Sequence, residues 1–153
     1  MAPGISITTS GTAERMPLAS VADVRCSTAQ EFPGPDADLL VYDSGIVLPF
    51  AVRRVFTVRA HETAERGRHA HKLCGQMFVC LQGTCTVAVD DGAIRKTFAL
   101  STPREALFVP ASIWAEQDYE PGAILMVLCD QPYNETDYIR DYDAFLAWRA
   151  GAA

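Results

Sequence analysis

No stretch of this sequence is apolar for the length of a membrane span, and its N-terminus has no basic segment followed by an apolar one. The chain therefore reads as a cytoplasmic protein that neither crosses nor anchors in a membrane. Its five cysteines (Cys26, Cys74, Cys80, Cys85 and Cys129) contain no C-x-x-C pair and are odd in number. Cys80, Cys85 and Cys129 lie in apolar, strand-like runs where a thiol behaves as a small hydrophobe. They read as buried reduced thiols rather than a disulfide framework or a zinc site. Positive charge is also scarce: 13 Lys and Arg against 19 Asp and Glu leave a net charge of −6. That balance argues against a nucleic-acid-binding surface. Repeats and low-complexity linkers are missing too, so the 153 residues make one domain with a sizeable core rather than two.

The basic residues that are present are unevenly placed. Six of the thirteen (Arg53, Arg54, Arg59, Arg66, Arg68 and Lys72) fall between positions 53 and 72, against only Glu62 and Glu65. A local basic cluster on an acidic protein suits a small anion such as a phosphate or diphosphate, which guanidinium groups bind through paired charge-assisted hydrogen bonds. The competing reading is a solvated strand face.

Residues 1–35, rich in Ser, Thr, Ala, Gly and Pro with a short Ile5–Ile7 run, read as an irregular arm that can add an edge strand. Beyond it, over 36–153, strand candidates are Leu39–Tyr42, Val52–Ala60, Gln76–Leu81, Thr84–Val89, Ala93–Ala99, Ala106–Val109, Trp114–Asp118 and Ala123–Cys129. Gly83 and the Asp90-Asp91-Gly92 run supply turns. Only the end reads as helix, with Asp141 as N-cap for Tyr142–Arg149, and Phe145 and Trp148 spaced to dock on the rest. The architecture is an all-β sandwich or small barrel with a short C-terminal helix.

Two of the three histidines form the pair His69-x-His71. On a strand, residues i and i+2 share a face, so both imidazoles would enter one pocket. The series His69-x-His71-x4-Gln76-x6-Gly83 is similar to the first motif of the cupin barrels, with Gln76 where metal-binding cupins carry Glu. Pro110-Ala-Ser-Ile-Trp-Ala115 resembles the second, with Ser112 for Gly and Ala115 for His. A catalytic metal usually keeps at least three protein ligands, and Gln76 and Ala115 remove two of the motif's four. Acid–base use of the imidazoles is favoured over a metal site, and no cofactor is expected.

The run Arg54-Val-Phe, Arg66-Gly-Arg-His-Ala-His-Lys72, Gln76-Met-Phe-Val-Cys-Leu-Gln-Gly83, Trp114 and Tyr133-Asn-Glu-Thr-Asp-Tyr-Ile-Arg-Asp-Tyr-Asp143 resembles the WxcM-like sugar 3,4-ketoisomerases over about residues 36–149. That resemblance implies an all-β cupin, a jelly-roll barrel, working without metal. It also implies a homodimer with exchanged N-terminal strands and a dTDP-linked 4-keto-6-deoxyhexose as substrate. The implied reaction moves the carbonyl from C4 to C3 through an enediolate. His69 takes the place of the family's acid/base, with His71 beside it, and Arg66 steadies an oxyanion or phosphate. Arg54, Arg68, Lys72, Gln76 and Trp114 are the substrate-binding candidates, although Trp114 also suits packing in the barrel wall. The Tyr133, Tyr138 and Tyr142 side chains of the tail read as structural.

This chain departs from the family at three places. Gly34-Pro-Asp-Ala-Asp-Leu39 lacks the Arg and Gly of a D-x-R-G-x-L segment, Phe56 stands where a tyrosine is usual, and Ala115 replaces the histidine of W-H-E. A 4-keto-sugar epimerase and a non-catalytic sugar-nucleotide-binding cupin are the alternative readings.

Overall fold

The computed structural model describes residues 17–152; the Ile5–Ile7 run lies outside them. The described chain runs through strands β1 (Arg25–Thr28), β2 (Gln30–Phe32), β3 (Leu39–Val41), β4 (Arg54–Arg59), β5 (Ala64–His71) and β6 (Gln76–Gln82). Then follow β7 (Cys85–Asp90), β8 (Arg95–Leu100), β9 (Glu105–Val109), β10 (Trp114–Tyr119), β11 (Ile124–Cys129), β12 (Tyr138–Ile139) and helix α1 (Tyr142–Ala152). Two five-stranded sheets, in the orders β1-β9-β6-β11-β4 and β12-β5-β10-β7-β8, form the barrel, and β2 and β3 make a separate ribbon. All pairings between these strands are antiparallel. This is the all-β jelly-roll expected from the sequence.

All eight sequence-predicted strands are present with ends shifted by a residue or two, as is usual where pairing rather than composition sets the boundary. The β5 strand is not among them, because Ala-Glu-Arg-Gly-Arg-His-Ala-His is mostly polar and has no clean period of two. The barrel also begins earlier than residue 36: β1, inside the N-terminal arm, pairs with β9 within the chain.

Alternation along the strands builds two apolar layers. In β11, Leu125, Val127 and Cys129 face the space between the sheets, with Phe78, Val87 and Leu107. Leu128 faces the opposite way, against Val47, Leu48, Met77 and Val79, with Met126 packed alongside. One sheet is thus apolar on both faces, the outer one partly covered by the segment around Val47 and Leu48. Gly83 joins β6 to β7 at φ +72°, and a Cβ there would lie 3.0 Å from the Ala123 Cα, so this turn needs glycine.

The helix docks as its sequence suggests. The Asp141 carboxylate accepts the Ala144 N–H at 2.8 Å and caps the first turn. Phe145 is fully buried beside Trp114, at 5.6 Å between ring centroids. Farther along, the Arg149 guanidinium donates to the Ser112 and Ala19 carbonyls, tying helix, loop and N-terminal segment together.

Candidate active site

The site is organised by a bulge in β5. Opposite it on β10, Ala115 pairs with His69 and Glu116 with Gly67, so Arg68 is the extra residue. Gly67 and Arg68 both take positive φ, +79° and +57°. In a regular strand, residues 66 and 69 would point to opposite faces; the inserted residue reverses the parity and brings Arg66 and His69 to one cavity. Only glycine fits at 67. A Cβ there would lie 2.7 Å from Gln117 Oε1 and 2.9 Å from the Ala115 carbonyl oxygen.

Beyond the bulge the histidine pair has regular geometry. His69 and His71 stand edge to face with centroids 5.0 Å apart, and the Tyr138 ring on β12 lies 5.0 Å from the first and 4.3 Å from the second. His71 is buried, and its Nδ1 is 2.8 Å from Asp137 Oδ2. Asp137 is buried too, and accepts the Leu73 N–H on Oδ1 at 2.7 Å and the Cys74 N–H on Oδ2 at 3.3 Å. His69 Nδ1 and His71 Nε2 are buried without hydrogen-bond partners. Desolvation first, then the neighbouring His71, push His69 down to about 4, so its imidazole is neutral at pH 7. Desolvation likewise lowers His71, opposed by the hydrogen bond to Asp137.

A cavity of about 490 Å³ opens over His69, within the size range of small-ligand sites. Of the residues singled out in the sequence, Arg54, Arg66, His69 and Gln76 line it. Gln76 reaches Cys129 Sγ at 3.7 Å. The neighbouring Cys74 thiol, with Gln76 and Arg54 adding to it and burial opposing, lowers the Cys129 thiol from its ordinary value. His71 is not in the wall but sits against His69 and Tyr138.

Three candidates lie elsewhere. Arg68, on the bulge, is exposed and pairs with Glu65 at 2.5 Å. Lys72 is exposed and donates to the Thr136 carbonyl at 3.0 Å. Trp114 is buried under α1 with its Nε1 donating to Glu116 at 2.8 Å, because strand alternation sends it to the face opposite inward-facing Ala115. It packs, and does not stack on a ligand in this cavity.

In turn, the cavity takes Arg59 from the basic cluster and includes residues that the sequence alone leaves out of the site: Gln117, Tyr119, Tyr138 and Arg140. Tyr138 is thereby more than the structural residue its sequence context suggests. Its hydroxyl meets the Arg54 guanidinium at 3.4 Å, and Arg140 lies over its ring at 4.2 Å. Glu135 holds Arg140 through two hydrogen bonds of 2.8 and 2.9 Å. The E-T-D-Y-I-R run of the tail is the available signal, because it concentrates these groups in six residues. Among the described residues one group, His71, Cys74 and Asp137, brings metal-ligating atoms within 4.8 Å of one another. Both Asp137 oxygens there already accept protein N–H groups, which makes the group a hydrogen-bonded clamp.

Residues 22–150 match the family model described as FdtA: WxcM-like, C-terminal. The chain belongs to the FdtA, WxcM-like family. A curated relative from Aneurinibacillus thermoaerophilus, a TDP-4-oxo-6-deoxy-alpha-D-glucose-3,4-oxoisomerase, is 42% identical over 100 residues, 64% of this chain and 72% of its own. A 3,4-ketoisomerase from Helicobacter canadensis superposes with TM-score 0.81 at 30% identity, covering 84% of this chain and 98% of that one. The sugar 3,4-ketoisomerase QdtA from Thermoanaerobacterium thermosaccharolyticum, solved in complex with TDP, gives 0.81 at 27% identity, covering 86% and 98%. A variant of QdtA is solved with TDP-4-keto-6-deoxyglucose and gives 0.81 at 26% identity, covering 86% and 97%. Family membership thus rests on most of the chain, including both the bulged β5 and the E-T-D-Y-I-R tail.

Proposed function

We propose that this protein is a metal-independent 3,4-ketoisomerase of a dTDP-linked 4-keto-6-deoxyhexose, acting in deoxyaminosugar biosynthesis. The observation that carries the reading is a neutral imidazole, His69, in the wall of a cavity that also presents Arg54, Arg59, Arg66 and Arg140. The relatives' TDP-sugar substrates fit that chemistry. A nucleoside diphosphate needs guanidinium partners, and a 4-keto sugar needs a base for its C3 proton.

In the proposed reaction, His69 Nε2 takes the C3 proton and the C–H electron pair becomes the enediolate double bond. Arg66 stabilises the oxyanion at O4. The His69 proton exchanges with solvent and His69 then protonates C4, while the O3 proton passes to O4 and the carbonyl forms at C3. Tyr138, whose ring lies beside His69 and whose hydroxyl meets Arg54 in the cavity wall, is the group assigned to that second transfer. The base must be unprotonated, so kcat/KM for TDP-4-keto-6-deoxyglucose should stay level through neutral pH and fall as pH drops through about 4, the value to which burial takes His69. No turnover at any pH would contradict the proposal. A single acid limb at the ordinary histidine value of about 6.5 would contradict the role given to His69.

The proposal extends to a cytoplasmic homodimer. No helix among the described residues is long and apolar enough to cross a membrane, and all five cysteines are free. On the apolar outer face of the β4-containing sheet, Val55 and Leu81 are 53% and 40% exposed, and Ile46 and Val52 near the covering segment are exposed as well. A second copy would bury this patch. Sedimentation should give twice the chain mass, and Val55→Glu/Leu81→Glu should shift it toward one; a monomeric wild type at micromolar concentration would remove the dimer.

A further inference from the structure

His69 and His71 are adjacent rings, and each keeps one buried nitrogen with no partner. Leaving a buried polar atom unpaired costs stability, so two on adjacent rings are a poor solution for packing alone. They suit a pair that joins when charge develops on one ring. Which ring carries which proton is set from the far end. The Asp137 carboxylate accepts from His71 Nδ1, so a neutral His71 has its proton there and a bare lone pair on Nε2. Asp137 cannot easily turn away, because the Leu73 and Cys74 N–H groups hold its two oxygens. It also ends a one-turn helix, Glu135–Asp137, whose start is capped by Asn134.

We infer that Asp137 is a positioning residue for the isomerisation: it fixes His71 as the Nδ1–H tautomer, so that the His71 Nε2 lone pair stays bare beside His69 and accepts its Nδ1–H as charge develops on that ring. This rests on His69 being the base of the proposed reaction. The consequence is directional. A His69 that turns a protonated Nδ1 toward that bare lone pair has its own lone pair on Nε2, the nitrogen left to the cavity. When Nε2 takes the C3 proton, no proton moves along the chain of rings. The new imidazolium is steadied by the His71 lone pair, and that lone pair is made more basic by the carboxylate behind it. The other charged groups bearing on the two rings are Arg54 on β4 and the tail residues Arg140 and Glu135.

The test is Asp137→Asn. With the carbonyl of the introduced amide kept on the shorter, 2.7 Å bond from Leu73 N–H, its NH₂ faces His71 Nδ1 and displaces the weaker 3.3 Å bond from Cys74 N–H. That NH₂ can only donate, so the His71 proton must move to Nε2 and oppose the His69 proton. With three histidines in the chain, ¹⁵N long-range NMR resolves each tautomer. Wild-type protein should show His71 as Nδ1–H, and Asp137→Asn should show it as Nε2–H. The same variant should lose about 10²-fold or more in kcat, with TDP affinity within about twofold of wild type.

An Asp137→Asn spectrum still showing His71 as Nδ1–H overturns the inference. A tautomer switch with unchanged kcat also overturns it, as does a fall in TDP affinity that matches the fall in turnover. Should the variant fail to fold, the wild-type spectrum decides: His71 found as Nε2–H, or charged at pH 7, overturns it. If wild-type protein moves no sugar proton, the functional proposal fails by itself, and the inference fails with it as a statement about catalysis. The tautomer spectra then show separately whether Asp137 governs His71.

Discussion

Replacing His69 with asparagine should lower turnover of TDP-4-keto-6-deoxyglucose by about 10³-fold or more, in the range that removal of a general base produces. Asparagine is close in size to imidazole and keeps a polar group in the cavity wall, but it offers no nitrogen that takes a proton near neutral pH. His69 touches ring neighbours on two sides, His71 and Tyr138, both at 5.0 Å, so the smaller amide leaves the surrounding rings in place. Arg54, Arg59 and Arg140 come from β4 and from the tail rather than from β5. The variant should therefore bind TDP within about twofold of wild type, since the guanidinium partners are untouched. Retention of more than a tenth of wild-type turnover would show that another group removes the C3 proton.

The second large effect should follow Gly67→Ala. At φ +79°, an L residue is strained by about 1–2 kcal/mol, and the added Cβ would come 2.9 Å from the Ala115 carbonyl oxygen, a backbone atom that cannot swing aside. Relief requires β5 to move away from β10, and that movement is transmitted to Arg66 on one side of the bulge and His69 on the other. A displacement on the order of 1 Å at a reacting group is worth about 10²-fold in rate. The expected result is a lower melting temperature together with a roughly hundredfold loss of kcat. Wild-type values for both would mean that the bulge does not set the site.

These two positions also show how much of the site is open to reading without the structure. The His69 and His71 pair is legible because it is local: two residues apart on one strand, the rings share a side whatever the rest of the chain does. Placing Arg66 with them needs the bulge, and a motif containing Gly67 is the only trace the bulge leaves in sequence. Trp114 shows the reverse case. Ala115 pairs with His69 and faces inward, so strict alternation on β10 already sends the indole away from the cavity. Arg68 and Lys72 belong to a basic run by count but not by direction, and each ends on a partner outside the cavity.

Asp137 and Tyr138 are not legible as site residues because they reach the histidines across long stretches of chain, 66 positions in the case of Asp137 and His71. The tail carries them there through a strand only two residues long, β12, which no hydrophobic period announces. The fold is more open to reading than the site. Alternation in β6, β7 and β11 is carried by apolar side chains, whereas the site is built where polar residues interrupt it.

The proton transfer itself is the most direct point of test. TDP-4-keto-6-deoxyglucose incubated with wild-type protein in deuterated water should give, by NMR, a product with its carbonyl at C3 and deuterium at C4. Deuterium entering C3 or C5 with the carbonyl still at C4 would make the protein an epimerase. Binding without exchange at any carbon would leave a sugar-nucleotide-binding cupin and contradict the account.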